Sequence, residues 1–311
     1  MERPISLERV LRRYADIWHR KADGYRNAYE TACAETAIHR DGRDRILRSL
    51  RNFEQAKKTV PAGLRGRQLC FLHIGKTAGT SVQHALLELY HEAAVFHESL
   101  PNFDLVTPEE LAINNLVLGH FMFQHVAKMP IHRFLMTFLR EPIERVVSNY
   151  YFLRSGSPIS TYSKIAIEAA NDLSLLQFLS CDNPAVRMIS ENFQAKALAY
   201  DIRPEFDSKI DDLQATAERN LSTFDFVGIV ERFDDSIAAL STILEAEIKI
   251  KRLNVNQRRE HAPTISAEEL ELARKLNAID IAVYSKARGA FQEKFHGILG
   301  NAKNEDRYFF G

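Results

Sequence analysis

The sequence predicts an α/β fold, in which helices pack on a central parallel β-sheet. Two apolar runs of strand length, at 69–74 and 134–139, each lead through a short turn into an amphipathic helix. A third apolar run, at 115–121, lies between them. With 311 residues, of which 45% are hydrophobic, the chain can bury a sizeable core in one or two domains.

The first strand–turn–helix unit reads LCFLHIGKTAGTS over residues 69–81. In the helix that follows, Val82, Ala85 and Leu86 share one apolar face. The start of a helix presents unpaired backbone N–H groups and the positive end of its dipole, and Lys76 adds a full charge there. The unit therefore predicts an anion site built from consecutive residues, namely Lys76, Thr77, Ala78, Gly79, Thr80 and Ser81.

This turn differs from the Walker A phosphate loop, G-x-x-x-x-G-K-[ST]. Lys76 precedes Gly79, so the lysine lies at the end of the strand and not at the start of the helix. The sequence also lacks an apolar strand ending in Asp that would hold a magnesium ion beside such a loop. Both differences argue against a magnesium-dependent Walker loop.

The second unit begins with the apolar strand at 134–139 and continues into a helix predicted over 143–154. Arg140 ends the strand, and Pro142 suits the first turn of a helix because its missing N–H would be unpaired there anyway. Ligands of open α/β sheets bind at the carboxyl ends of the strands. Lys76 and Arg140 at two such ends would suit a ligand with two separated phosphates.

These two units resemble those of a known enzyme family. A loop with lysine before small and hydroxyl residues looks like the 5′-phosphosulfate loop of sulfotransferases that use 3′-phosphoadenosine 5′-phosphosulfate (PAPS). The second unit carries Arg-x-Pro-x-x-Arg-x-x-Ser-x-Tyr and is similar to the 3′-phosphate motif of carbohydrate sulfotransferases, most of all heparan sulfate 2-O-sulfotransferase and its bacterial relatives. The motif residues are Arg140, Pro142, Arg145, Ser148 and Tyr150.

The resemblance implies a P-loop-like three-layer fold with a sheet of about four or five parallel strands. It implies transfer of a sulfuryl group from PAPS to a hydroxyl, with PAP as product and no metal. Arg140 and Ser148 would bind the 3′-phosphate, and the loop amides would bind the 5′-phosphate. Lys76 would stabilise the leaving group. The family usually has proline where this chain has Gly75.

A Gly-His pair ends the apolar run between the two motifs. In the family that the chain resembles, a Gly-His at this place supplies the base that deprotonates the acceptor hydroxyl, which implies His120 here. Histidine suits this role because its ordinary pKa lies near neutrality.

The later part of the chain carries weaker signals. Residues 192–196 resemble an Asn-x-Gln-Thr-Arg segment of bacterial relatives, and both an active-site role and a capped helix start are open. A strand is predicted at 224–230, and one long helix from Ser266 to about Phe295. Arg258 falls where the family has a loop that closes over PAPS, with an exposed basic loop as the alternative.

The chain divides into a helical N-terminal extension, 1–60, and a catalytic domain, 61–311. Leu7, Val10, Leu11 and Trp18 follow helical spacing in the extension. Basic residues exceed acidic ones up to Arg67, and the extension is interpreted either as a solvated helical hairpin or as a homodimer contact or basic surface.

Composition sets limits on location and partners. The 41 basic and 41 acidic residues balance, so the overall charge gives no argument for nucleic acid. No apolar run approaches the roughly 20 residues of a membrane span. The 3 cysteines form no disulfide or metal pattern. A cytoplasmic, bacterial protein is the simplest prediction.

The resulting hypothesis is a PAPS-dependent sulfotransferase whose acceptor is a sugar hydroxyl of a glycan or glycolipid. A nucleotide kinase with a variant phosphate loop is one alternative. A non-catalytic PAP-binding scaffold protein is the other.

Overall fold

The computed structural model describes residues 60–90, 95–100, 102–155, 164–203, 212–250 and 265–296. The predicted extension apart from Val60, and with it the domain boundary, lies outside these residues, as does Arg258. The strands are β1 (Gln68–Leu72), β2 (Val95–Ser99), β3 (Leu116–His120), β4 (Arg133–Leu139) and β5 (Phe226–Ile229).

Helices connect the strands and follow the last one. In chain order the described helices are α1 (Gly79–Leu89), α2 (Asn102–Leu105), α3 (Pro108–Ala112), α4 (Pro142–Leu153), α5 (Lys164–Asp172), α6 (Leu175–Ser180), α7 (Pro184–Ser190), α8 (Phe193–Ala199), α9 (Leu213–Leu221), α10 (Phe233–Leu244), α11 (Ala267–Leu276) and α12 (Ala278–Phe295). Short 3₁₀ helices occur at Ala62–Leu64, Phe123–Lys128 and Val230–Arg232. None of the helices in the described ranges is long and apolar enough to cross a bilayer.

The strands form one parallel sheet in the order β2-β3-β1-β4-β5. In the central strand, Leu69 lies opposite Leu116 of β3 and Phe134 of β4. This arrangement confirms the predicted α/β fold and its sheet of four or five strands. The edge strand β2 was not predicted, because its sequence, VFHES, is short and half polar.

The topology places a crevice at one edge of the sheet. From β1 the chain crosses to β2 and β3 on one side, and it then crosses back to β4 and β5 on the other. Connections that leave neighbouring strands in opposite directions open a crevice outside their carboxyl ends, where α/β proteins bind ligands. The turn after β1 and the residues after β4 therefore border this crevice.

An aromatic row fixes the strands on this side of the sheet. The Phe138 ring on β4 lies 6.3 Å from the ring of Phe71 on β1 and 5.8 Å from that of Phe226 on β5. Gly228 leaves the room that this requires, since a Cβ at that position would lie 2.4 Å from the Phe138 ring. Such aromatic pairs contribute about 0.5–1.5 kcal/mol each beyond the area they bury.

A polar network supports the segment after β3. Asp104 accepts hydrogen bonds from the His125 ring and from Arg203, at 2.8 Å each. Arg203 also donates to the fully buried Asp201, which accepts a further bond from Gln124. The network joins the β2–β3 connection to the residues after β3, and so to the carboxyl edge of the sheet.

The prediction of a single C-terminal helix is wrong, because the structure has two helices there, α11 and α12, and Asn277 lies between them. Asn277 is fully buried, and its side-chain amide donates to the carbonyls of Ser190 and Ala273, at 3.0 Å each. Its Oδ1 accepts from the backbone N–H of Asn192 at 3.1 Å. These tertiary bonds favour a non-helical backbone at a residue with low helix propensity.

Gly119 lets β3 lie close to β2 at the residue before His120. It has a φ of 139°, and a Cβ there would lie 1.7 Å from the carbonyl oxygen of Glu98 on β2. We expect Gly119→Ala to lower the free energy of unfolding by about 3 kcal/mol, because it adds both backbone strain and a clash with backbone. Urea denaturation of the purified variant would measure this.

Gly289→Ala is the matched control. Gly289 is exposed in the middle of α12 and has nothing within 4 Å of an added Cβ. This substitution should raise the free energy of unfolding by about 0.5–1 kcal/mol. Equal stability of the two variants would contradict the close packing of β3 on β2.

Candidate active site

The turn between β1 and α1 has a strained backbone. Lys76 and Ala78 both have positive φ values, 71° and 58°, which non-glycine residues seldom adopt. Left-handed residues of this kind turn successive backbone N–H groups toward one point, as in anion-binding nests. Strain of this type is common at functional sites.

The start of α1 is open to an anion. Ala78 occupies the position before the helix, and its side chain makes no capping hydrogen bond to the first turn. Gly79, the first residue of the helix, carries no Cβ, and one placed there would lie 1.9 Å from the His73 ring. The glycine therefore lets the helix start against the His73 ring.

The Thr77 hydroxyl is already committed within the turn. It donates to the carbonyl oxygen of Ile74 at 2.8 Å, and the residue is fully buried. The backbone N–H of Thr77, which was also predicted to bind the anion, is not used by this bond. The hydroxyl stabilises the turn instead of providing a donor to a ligand.

Lys76 and Arg140 border the same crevice, as the strand order predicts. The Lys76 ammonium lies 3.6 Å from the centre of the Phe152 ring on α4, a cation–π distance. The Arg140 guanidinium makes a long contact of 3.4 Å with the Lys76 carbonyl oxygen. It also pairs with Glu144 at 3.2 Å.

One face of α4 lines this part of the site. Glu144, Ser148 and Phe152 are spaced by four residues, so they lie above one another on the helix. Since Glu144 contacts Arg140 and Phe152 contacts Lys76, Ser148 lies between these two contacts on the same face. That Ser148 binds the 3′-phosphate, as the resemblance implies, stays a prediction.

Two other residues of the second motif have structural roles. The Arg145 side chain is buried, donates to the carbonyl of Ile189 at 2.8 Å and lies over the Phe193 ring. The Tyr150 hydroxyl donates to the carbonyl of Leu173 at 2.7 Å. Both side chains join α4 to the helices packed behind it.

His120 ends β3 beside the turn after β1. Its Nδ1 lies 2.8 Å from the carbonyl oxygen of His73. Because a carbonyl only accepts hydrogen bonds, Nδ1 must carry the proton, and Nε2 of the neutral ring has a lone pair. Burial lowers the pKa of His120 below its ordinary value, although the bond to His73 acts in the opposite direction. His120 is therefore neutral at pH 7 and can accept a proton.

Sequence reasoning missed the part that His73 plays. Its ring stacks on that of His120, with centroids 4.2 Å apart, and on that of Phe71 at 5.6 Å. Burial and the neighbouring His120 lower the pKa of His73 well below its ordinary value. The stack connects the loop glycine, Gly79, to the candidate base. The only signal in the sequence was the position of His73 directly after β1.

The structure thus brings three predicted side chains to one edge of the sheet. Lys76 and Arg140 follow β1 and β4, and His120 is the last residue of β3; these three strands are neighbours in the sheet. Arg258 lies outside the described residues. In the described ranges, no group of three or more His, Cys, Asp or Glu side chains could hold a metal ion, and the metal-free reaction stays a prediction.

A family model described as "Sulfotransferase family" matches residues 65–285, which is more than half of the chain. This range contains β1 to β5, both motifs and His120. No curated protein matches the chain.

The buried histidines make stability depend on pH. With their pKa values lowered in the folded protein, His73 and His120 bind protons more strongly in the unfolded chain. Stability therefore rises with pH in this window, and we expect the free energy of unfolding to fall as pH is lowered from about 7 to about 5. Chemical denaturation at a series of pH values would measure this fall.

The variant His73→Phe keeps a ring in the stack and removes one buried imidazole. It should make the dependence on pH shallower over the same range. A slope that is the same in the variant and the unchanged protein would show that His73 is not held neutral by its surroundings.

Proposed function

The chain belongs to the sulfotransferase family, and we propose that it transfers a sulfuryl group from PAPS to a hydroxyl group of a sugar acceptor. One observation carries the proposal. An uncapped helix start with its lysine, an arginine at the next strand end and a neutral histidine meet at the carboxyl ends of three adjacent parallel strands.

The residues present fit a ligand with two separated phosphates. The first-turn N–H groups of α1 and the turn from Lys76 to Ser81 would hold the 5′-phosphate. Arg140 and Ser148 would hold the 3′-phosphate from the other side of the crevice. When bound, PAPS supplies the sulfuryl group and the leaving oxygen.

His120 would act as the general base. Its Nδ1–H is engaged with the His73 carbonyl, so the proton of the acceptor hydroxyl would go to Nε2. The resulting imidazolium would lie against the neutral His73 ring, which provides a π-face 4.2 Å away. General-base assistance of this type contributes roughly 10²–10⁴-fold to a rate.

Lys76 would neutralise the charge that grows on the leaving oxygen. Group transfers of this kind need in-line geometry and charge stabilisation more than covalent chemistry by the protein. The ammonium is held on the Phe152 ring at 3.6 Å, beside the start of α1. A charge partner positioned in advance contributes about 10²–10³-fold.

The sugar acceptor is proposed from the likeness of residues 139–154 to the carbohydrate-specific enzymes. Glycans and glycolipids are the acceptor classes that follow from this likeness. The bacterial cytoplasm as location, and a homodimer formed through the N-terminal extension, remain predictions.

PAP binding tests the proposal directly. We expect PAP without any metal to raise the melting temperature, because a ligand at 100 times its Kd stabilises the folded state by about 2.7 kcal/mol. Arg140→Ala should abolish most of this shift, since it removes the proposed 3′-phosphate partner. Differential scanning fluorimetry would measure both.

ATP with magnesium serves as the control ligand in the same assay. A shift with ATP and magnesium but none with PAP would contradict the sulfotransferase proposal and support a nucleotide kinase. Binding of PAP with no transfer from radiolabelled PAPS to any acceptor in a broad glycan and glycolipid panel would favour the scaffold alternative.

Substitutions of the two catalytic candidates should separate rate from binding. We expect His120→Ala to lower kcat by about 10²–10⁴-fold and Lys76→Ala by about 10²–10³-fold. The affinity of His120→Ala for PAP should be unchanged. The assay is transfer of label from PAPS to an acceptor identified in the panel.

His84→Ala is the matched control, because His84 is exposed on α1, the helix that follows the turn. It should retain full activity. Loss of activity in His84→Ala equal to that in His120→Ala would contradict the assignment of the base.

A further inference from the structure

The side chain of Gln194 holds the backbone of Arg140 as a neighbouring strand would. Gln194 Oε1 accepts the N–H of Arg140 at 3.0 Å, and Gln194 Nε2 donates to the carbonyl oxygen of the same residue at 2.9 Å. Gln194 is 1% exposed, so both bonds form away from solvent. One side-chain amide thus pairs both backbone polar groups of a single residue.

These bonds occur where the sheet ends. The last pair between β4 and β5 is Leu139 with Ile229, and β1 pairs with β4 only as far as Thr137. Arg140 is the next residue, beyond both ladders. Buried backbone groups need partners, and Gln194 provides them at the point where the neighbouring strands no longer do.

Gln194 is itself held firmly. Its backbone N–H and that of Ala195 donate to the two carboxylate oxygens of Asp280, at 3.1 and 2.7 Å. In return, Asn192 accepts the backbone N–H groups of Ile279 and Asp280. Helices α8 and α12 therefore cap one another, and this joint fixes the position from which Gln194 reaches Arg140.

The next residue is held in the same manner. The N–H of Glu141 donates to Glu231 Oε1 at 2.9 Å, and the hydroxyl of Tyr284 donates to Glu231 Oε2 at 2.6 Å. The Glu141 carboxylate then accepts the N–H of Glu144 at the start of α4. The segment that carries the Arg140 side chain is therefore held on both sides by residues from distant parts of the chain.

We propose that Gln194 is the positioning residue for Arg140, setting the direction in which the guanidinium enters the crevice and thereby the selectivity for a 3′-phosphorylated ligand. The proposal rests on the function proposed above. Gln194 acts through Arg140 and touches no reacting atom, so its effect should appear in binding of the 3′-phosphate and leave the 5′-phosphate site unchanged.

Comparison of PAP with AMP isolates this effect, because AMP lacks the 3′-phosphate. In Gln194→Ala we expect the Kd for PAP to rise at least about ten-fold, since small displacements of a positioned group have large effects. The Kd for AMP should change less than two-fold. Isothermal titration calorimetry on the full chain would measure both constants.

Asn220→Ala is the matched control for general loss of stability. Asn220 donates to the carbonyls of Leu198 and Ala199 at the opposite end of α8, at 3.0 and 2.8 Å. Both alanine variants should melt at lower temperature than the unchanged protein. Only Gln194→Ala should lose preference for PAP over AMP.

A double-mutant cycle provides a second test. If Gln194 acts through Arg140, then Gln194→Ala should have no further effect on PAP affinity in the background Arg140→Ala. Should Gln194→Ala fail to fold, Gln194→Glu keeps the side-chain length and the Oε1 acceptor but loses the Nε2 donor, and the same loss of preference is expected.

The outcomes separate the two proposals. If the unchanged protein does not bind PAP, the proposed function fails, and the role of Gln194 fails with it. If the unchanged protein prefers PAP over AMP and Gln194→Ala or Gln194→Glu keeps that preference, the role of Gln194 alone is overturned. Equal weakening of PAP and AMP would also overturn it, because that result indicates a general structural role.

Discussion

Parallel pairing of β1 with β3 on one side and β4 on the other is the constraint on which the candidate site depends. It brings the ends of three strands to one edge, although their sequences are separated by tens of residues. The buried apolar residues keep these strands in register. A slip of one residue would turn every side chain to the other face, and His73 would leave the His120 ring.

Polar side chains take over where the strand ladders stop. Gln194 and Glu231 pair the backbone of Arg140 and Glu141, and Asp280 holds Gln194 in turn. Burial raises the pKa of Asp280, while Arg145 and the backbone N–H groups oppose that rise. Buried polar networks are stable only when their members are satisfied. The backbone around Arg140 is therefore held by hydrogen bonds as well as by apolar packing.

The histidine pair shows how burial serves both fold and chemistry. The carbonyl of His73 sets the proton on Nδ1 of His120, and burial keeps the two rings neutral. Gly79 permits this arrangement, because any side chain there would occupy the space of the His73 ring. The turn between β1 and α1 and the candidate base are thus parts of one packed unit, joined through His73.

The sequence by itself determined the fold class, the two strand–turn–helix units and the Gly-His pair, because each of these consists of neighbouring residues with a recognisable local pattern. The break at Asn277, the edge strand β2 and the contacts made by His73, Gln194 and Phe152 were not predictable in this way. Each depends on partners far along the chain, such as the bonds between Gln194 and Arg140. Only the tertiary structure decided them, since a buried polar side chain takes its role from whichever unpaired group the fold brings to it.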